Sequence, residues 1–223
     1  LVIKVHNEVN RDYNQGYELI LIGHAGHPEV IGTLGQIPDK FHLVSSVPDV
    51  EALHVENTKN LSYVTQTTLS VDECRDIVEA LNRRFPNIKG PHQEDICYAT
   101  QNRQNAVKAL SKLVDVILVI GSPNSSNSNR LRELGEHCGI PSYLIDAASD
   151  INPAWLKDAK AVGISAGASA PEVLVSEVVV YLKTLGSSED VEELTVIEED
   201  VEFLLPKELV TIESASRAAA STT

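Results

Sequence analysis

Four apolar runs in this chain each end in a small or polar loop that opens directly into a helical pattern: LILIGHAGHPEV, SYVTQTTLSVD, ILVIGSPNSSNSNRL and VGISAGASAPEVLV. A strand that feeds a helix cannot be followed by a hairpin, so the next strand returns by a crossover and lies parallel to the first. The repetition therefore restricts the chain to an α/β fold with helices on both faces of its sheets. Strands are expected over 17–23, 61–66, 114–121, 142–146 and 159–165, and helices over 71–85, 99–114, 128–139 and 170–185. The opening LVIKVHNEV reads as the middle of an amphipathic helix with no capping residue before it.

The link FPNIKGPHQED (85–95) carries two prolines and a glycine and divides the pattern into two tandem α/β domains with parallel-sheet cores, 1–90 and 91–186. From residue 187 the alternation stops. The segment 187–223 holds ten acidic residues against Lys207 and Arg217, a balance of −8 out of a chain total of −14. Its end, SASRAAASTT, predicts disorder. The body is thus only mildly acidic and offers no basic face for a phosphate backbone, so nucleic acid is excluded as a partner. No apolar run approaches the roughly 18 residues of a membrane span. Three scattered cysteines, Cys74, Cys97 and Cys138, with no CxxC pair, argue for a reducing compartment and a cytoplasmic protein rather than a disulfide framework. With no methionine anywhere, the natural protein is expected to continue upstream of Leu1.

In open α/β sheets ligands bind beyond the carboxyl ends of the strands, where helix N-termini present unpaired N–H groups. GSPNSSNSNR (121–130) is such a loop, and it holds four serines and three asparagines with no cation before Arg130. Hydroxyls and backbone amides alone can hold an anion: each hydrogen bond to a charged group is worth about 1.5–3 kcal/mol. The loop reads as an anion cradle, most simply for phosphate. The bland alternative is that Ser, Thr and Asn are good caps and turn formers, with Ser70, Ser126 or Ser128, and Ser169 as N-caps and Pro28 and Pro171 at first helical positions. GxGxxG and GK[ST] are both missing, which sets aside dinucleotide and P-loop readings.

In HPE, His27 opens a helix and Glu29 sits in its first turn. Glu29 either complements the helix dipole or, with a pKa raised by burial or a nearby anion, delivers a proton. Cys97, in EDICYATQNRQ, is either a small buried hydrophobe or a thiolate favoured by a helix N-terminus and available to a metal. Cys74 and Cys138 fall inside helical patterns and read as core or helix-surface residues.

Taken together, LILIGHAGHPEV, VTQTTLSVD, DICYATQNRQ, GSPNSSNSNRL and ISAGASAPEVLV make the chain, from Leu1 to about Leu209, resemble the 4-hydroxy-3-methylbut-2-enyl diphosphate reductase (LytB-type) family of the methylerythritol phosphate route to isoprenoids. That resemblance implies a trefoil of three α/β domains around a [4Fe-4S] cluster, of which this chain would carry the second and third, with the first absent. It implies Cys97 as one of three cluster ligands, Glu29 as the proton donor, His27 and Thr67 as substrate-binding residues, and Ser125, Ser126, Asn127 and Ser169 as the diphosphate cradle. The implied reaction is reductive dehydroxylation of an allylic diphosphate to isopentenyl and dimethylallyl diphosphates, with ferredoxin or flavodoxin as electron donor. With one cluster cysteine in place of three, a chain of this extent is expected to hold no stable cluster and to be inactive alone. The competing readings are a non-catalytic sugar-phosphate-binding module and a phosphosugar isomerase.

Overall fold

The computed structural model describes residues 1–39, 41–186 and 191–197. Its first half runs α1 (Val2–Asn14), β1 (Glu18–Ile22), α2 (Pro28–Leu34), β2 (Phe41–Val44), α3 (Val47–Ala52), β3 (Leu61–Thr65) and α4 (Val71–Arg84). The second half runs α5 (Tyr98–Leu110), β4 (Val116–Ile120), α6 (Ser126–His137), β5 (Ser142–Ile145), β6 (Val162–Ala166) and α7 (Glu172–Thr184), with short 3-10 turns at Ala148–Asp150 and Pro153–Leu156. The expected disordered C-terminal end lies outside the described residues. No helix among the described residues is long and apolar enough to cross a membrane.

Each half forms one three-stranded sheet, all parallel, with the orders β2-β1-β3 and β5-β4-β6. The central strand is in both cases the first in sequence. The chain steps to one neighbour and then crosses over to the other side, so the connections diverge between β1 and β3, and again between β4 and β6. Crevices open at such points beyond the strand carboxyl ends. The loops that line them are those after β1, β3, β4 and β6, the four singled out by the sequence.

Every residue of ELILI in β1 and VILVI in β4 is buried, because helices cover both faces of both sheets. In the first sheet Ile20, Ile22 and Leu61 pack with Leu81 and Ile77 of α4, while Leu19, Leu21 and Val64 pack with Val5 and Val9 of α1. In the second, Leu118 and Ile120 meet Val178 of α7, while Ile117 and Val119 meet Val107 of α5 and Leu131 of α6. Each side chain so buried contributes about 1.5–3 kcal/mol.

Ser70 caps α4 by accepting from Glu73 N–H at 3.4 Å, and Pro28 stands at the first position of α2, as expected. Two capping expectations are corrected. Helix α6 is capped by Ser125, not Ser126 or Ser128. Helix α7 has Pro171 itself as the N-cap, with no side-chain cap, so Ser169 stands outside the helix in the preceding turn and Pro171 is not at a first helical position. β2 and α3 carry no clear period: FHLV is short, interrupted by a histidine and buried only at Val44, and the six residues of VPDVEA span less than two turns. The link at 85–95 is not a free tether: Lys89 joins the edge of β3 through Lys89 N–H to Leu61 O and Tyr63 N–H to Lys89 O, both 2.9 Å.

Candidate functional site

The β3–α4 loop is the hub. Thr67 donates its N–H to Glu29 Oε1 at 2.8 Å and its hydroxyl to Glu29 Oε2 at 3.0 Å, so both oxygens of that carboxylate are held by one residue. The Thr67 carbonyl accepts from Cys97 N–H at 2.9 Å. Thr68 donates its hydroxyl to Ser126 Oγ, at 3.0 Å, on the other half of the molecule. Glu29, Thr67, Cys97 and Ser126 are thereby brought to one place by three loops and the start of α6.

His27 is the N-cap of α2, and its Nδ1 accepts from Glu29 N–H at 3.2 Å. An imidazole that accepts at Nδ1 carries its proton at Nε2 in the neutral form. His27 is therefore a preset donor at its outer nitrogen. His24, in the same loop, does the converse: its Nε2 faces Arg130 at 2.5 Å, and a guanidinium can only donate. Burial, and then the Arg130 charge, hold the His24 pKa below the ordinary imidazole value. Arg130 is further occupied by Glu133 at 2.6 Å and lies 3.9 Å from Glu73. The one cation of the serine-rich loop is thus spent on tying α6 to the β1 loop.

Within that loop the polar side chains divide. Ser122 accepts from Asn124 N–H, and Asn129 donates to Pro123 O at 2.7 Å and to Ser125 O at 2.9 Å; both are occupied in shaping the turn. Asn127 is different. It is 8% exposed, yet neither Oδ1 nor Nδ2 has a partner among the described residues, a condition that a ligand would relieve and that costs stability otherwise. Ser169 is exposed in the β6–α7 turn, two residues beyond Gly167, which abuts Ser128. No hydrogen bond joins Ser169 to the other candidates.

Cys97 is the N-cap residue of α5, half-buried, with no side-chain cap bond. Cys74 lies in the core, and burial pushes its thiol up to about 12, the value of an inert structural cysteine. Cys138 is exposed at the opposite end of α6. Among the described residues no group of three or more His, Cys, Asp or Glu could hold a metal ion. The three-cysteine cluster implied by the resemblance therefore does not fit the described residues, which offer one thiol at the site.

Sequence reasoning passed over Gln66, Thr68 and His24. Gln66 is almost wholly buried: its Oε1 accepts from His24 N–H at 3.1 Å and its Nε2 donates to Thr68 Oγ1 at 3.1 Å. The signal was present, since a glutamine inside an apolar strand end must find partners. What the sequence could not supply was where those partners lay.

Residues 1–183 match the LytB protein family. The 4-hydroxy-3-methylbut-2-enyl diphosphate reductase 2 of Bradyrhizobium diazoefficiens is 58% identical over 209 residues, which cover 94% of this chain and 68% of that protein. The 4-hydroxy-3-methylbut-2-enyl diphosphate reductase of Azoarcus sp. is 57% identical over 209 residues, covering 94% of this chain and 67% of its own length. The structure of the E-1-hydroxy-2-methyl-but-2-enyl-4-diphosphate reductase from Plasmodium falciparum superposes with a TM-score of 0.85 at 32% identity, over 97% of this chain and 68% of that one. This chain belongs to the LytB protein family.

Proposed function

We propose that this chain supplies the diphosphate-gripping and proton-delivering residues of a reductase that removes the hydroxyl of 4-hydroxy-3-methylbut-2-enyl diphosphate. The observation that carries this reading is the meeting of Glu29, Cys97 and Ser126 around Thr67 and Thr68. Ser125, Ser126, Asn127 and the Nε2 hydrogen of His27 would bind the diphosphate, with Ser169 closing the cradle from the neighbouring turn. Such fixing of the substrate's charged end orients its hydroxyl-bearing carbon, and positioning of this kind is worth several kcal/mol of barrier. Glu29 would hold and release the proton that lets the hydroxyl leave as water. Thr67 keeps both carboxylate oxygens in place, so the proton has one geometry of delivery.

Cys97 would contribute one thiolate to a [4Fe-4S] cluster. The cluster would need ligands beyond the described residues, and the two electrons of the reaction would come from a ferredoxin or flavodoxin.

The test is calorimetric titration of the chain with the substrate diphosphate. Ser126→Ala and Asn127→Ala should each weaken binding by about 10- to 100-fold, the value of a hydrogen bond to a charged group. Arg130→Ala should weaken it less, because that guanidinium is already committed to His24 and Glu133. Equal affinity of all three variants with the natural chain would reject the cradle.

A further inference from the structure

A neutral hydroxyl is both donor and acceptor, so a serine-lined cradle favours an anion only if each hydroxyl hydrogen points inward. Two chains of hydrogen bonds end at the seryl oxygens of this site. The first begins at His24 N–H, which can only donate and so fixes Gln66 Oε1 as acceptor at 3.1 Å. The other end of that amide, Nε2, must then donate to Thr68 Oγ1 at 3.1 Å. Thr68 spends its own hydrogen on Ser126 Oγ at 3.0 Å. Ser126 is left accepting from within the protein, with its hydrogen free to face the cradle.

The second chain starts at Ser128, which is 1% exposed and wedged between the backbones at Gly121 and Gly167, where a Cβ on either glycine would collide with its hydroxyl. Its Oγ lies 2.9 Å from Ser125 Oγ, its one hydrogen-bond partner among the described residues. If Ser125 donated to Ser128, the Ser128 hydrogen would be buried without an acceptor, at a cost of about 1–3 kcal/mol. Ser128 therefore donates. Ser125 also accepts from Ser128 N–H at 3.3 Å, which leaves its hydrogen, too, facing outward. Beside them, Asn127 keeps both polar atoms buried and unpartnered.

We propose that Gln66 and Ser128 are positioning residues that set the direction of the Ser126 and Ser125 hydroxyls, so that both serines present donors matched to an oxyanion. This rests on the diphosphate reading above. The test uses inorganic diphosphate, titrated calorimetrically into the full chain, with circular dichroism and thermal unfolding as checks of folding. Ser128→Ala should weaken binding by about three- to tenfold, the worth of one oriented hydrogen bond, when Ser125 is present, and leave it unchanged in a Ser125→Ala background. Gln66→Met should behave in the same way toward Ser126. Thr68→Val, which cuts that chain at the hydroxyl while leaving Gln66 in place and bonded to His24 N–H, stands in should Gln66→Met fail to fold.

A residue needed only for packing would cost the same in both backgrounds, and that result would overturn the proposal. The two readings separate cleanly. Should the natural chain bind no diphosphate, or Ser126→Ala bind it unaltered, the cradle itself is wrong. Should Ser126→Ala weaken binding while Ser128→Ala and Thr68→Val show no dependence on their serines, the cradle stands and the relay falls.

Discussion

The two halves of the molecule share a strand order and a parallel sheet, yet they place opposite kinds of chemistry at their mouths. The first half presents titratable groups, His24, His27 and Glu29; the second, apart from the Cys97 thiol at the start of α5, presents Ser125, Ser126, Asn127 and Ser169, none of which changes charge with pH. The contrast extends inward. The first half buries Glu8, Asp12 and Glu18, and the linking Asp95 is buried against its α1 and β3, whereas the other buried polar residues described in the second, Thr100, Gln104, Asn127, Ser128 and Ser142, are all neutral. On the function proposed above, one architecture would serve proton handling in one half and, helped by His27, uncharged grip in the other, and what separates them is side chains on loops rather than backbone.

The division can be broken most directly at Glu29. Glu29→Gln keeps the shape and one of the two acceptors for Thr67, whose hydroxyl can turn to accept from the new amide, but cannot carry the proton. Turnover of the allylic diphosphate should fall by about 10²–10⁴, the usual range for losing a general acid, in steady-state assays of the reductase with its cluster assembled. Affinity for inorganic diphosphate should change less than about threefold, because no cradle hydrogen bond is lost. An affinity loss as large as that of Ser126→Ala would show that grip and proton delivery are not divided between the halves.

Next in size is the buried charge of the first half. Asp95 Oδ1 is held by Lys4 Nζ at 2.8 Å and Oδ2 by Thr65 N–H at 2.9 Å, with no exposure of the carboxylate side chain. Burial pushes the Asp95 pKa upward, against the pull of Lys4 and the Thr65 N–H. Lys4→Met would strand that carboxylate, and breaking a buried pair from one side costs about 3–5 kcal/mol; with Lys4 partly exposed, about 3 kcal/mol is expected in urea denaturation. Ser142→Ala, a buried neutral donor in the second half bonded to Ile140 O, should cost nearer 1 kcal/mol. Equal losses would mean that buried charge does not set the halves apart.

How much of this was legible beforehand follows the same line. Five of the six strands, α4 through α7 and the four site loops could be read because apolar runs and caps are local signals, and Glu29, Cys97 and Ser126 stood out by type and position. β2, half-buried with a histidine inside it, and α3, under two turns long, show no clear period. The Gln66–Thr68–Ser126 chain and the His24–Arg130 pair join residues 58 and 106 positions apart, and no pattern within one loop encodes a partner on another. Asp95, two residues from Cys97, looked like part of a polar linker; that it is buried against α1 and β3 is a tertiary fact.

Acid should sharpen the contrast further. Burial raises the pKa values of Asp12 and Glu18, but Lys89 and Arg11 at Asp12, and His42 with the Asn57 and Glu56 N–H groups at Glu18, outweigh it and hold both below the ordinary carboxylate range. The unfolded chain therefore binds more protons as pH falls. The stability these two confer is complete above about pH 4 and lost as pH drops through their folded values. Asp95, with its raised pKa, runs the other way and is relieved by acid. His24, with its lowered pKa, starts earlier: below about pH 6.5 the unfolded chain takes up this proton before the folded one, and stability falls until folded His24 is itself protonated against Arg130. Among the described residues of the second half, exposed Asp115 alone is held below the ordinary carboxylate range, by the Ala161 and Lys160 N–H groups. Hydrogen exchange from pH 5 to 2 should show α1 and β1 losing protection before β4. The reverse order would contradict the assignment of acid sensitivity to the first half.

The smallest effect tests the shared part of the comparison. Helix α1 ends at Gly16 (φ 82°) and α6 at Gly139 (φ 83°), and the same pair of bonds closes both. Gly16 N–H reaches Tyr13 O and Tyr17 N–H reaches Asp12 O; Gly139 N–H reaches Glu136 O and Ile140 N–H reaches Gly135 O. That is the left-handed glycine termination in which two otherwise orphaned carbonyls are satisfied. A Cβ added at either glycine meets nothing within 4 Å, so the cost of alanine there is backbone strain alone, about 1–2 kcal/mol. Gly16→Ala and Gly139→Ala should therefore lower the unfolding midpoint by the same few degrees, and asparagine at either place should cost less than alanine. If the two alanine variants differed by more than about 1 kcal/mol, the halves would differ in backbone demands as well as in loop chemistry, and side chains alone would no longer account for their separate roles.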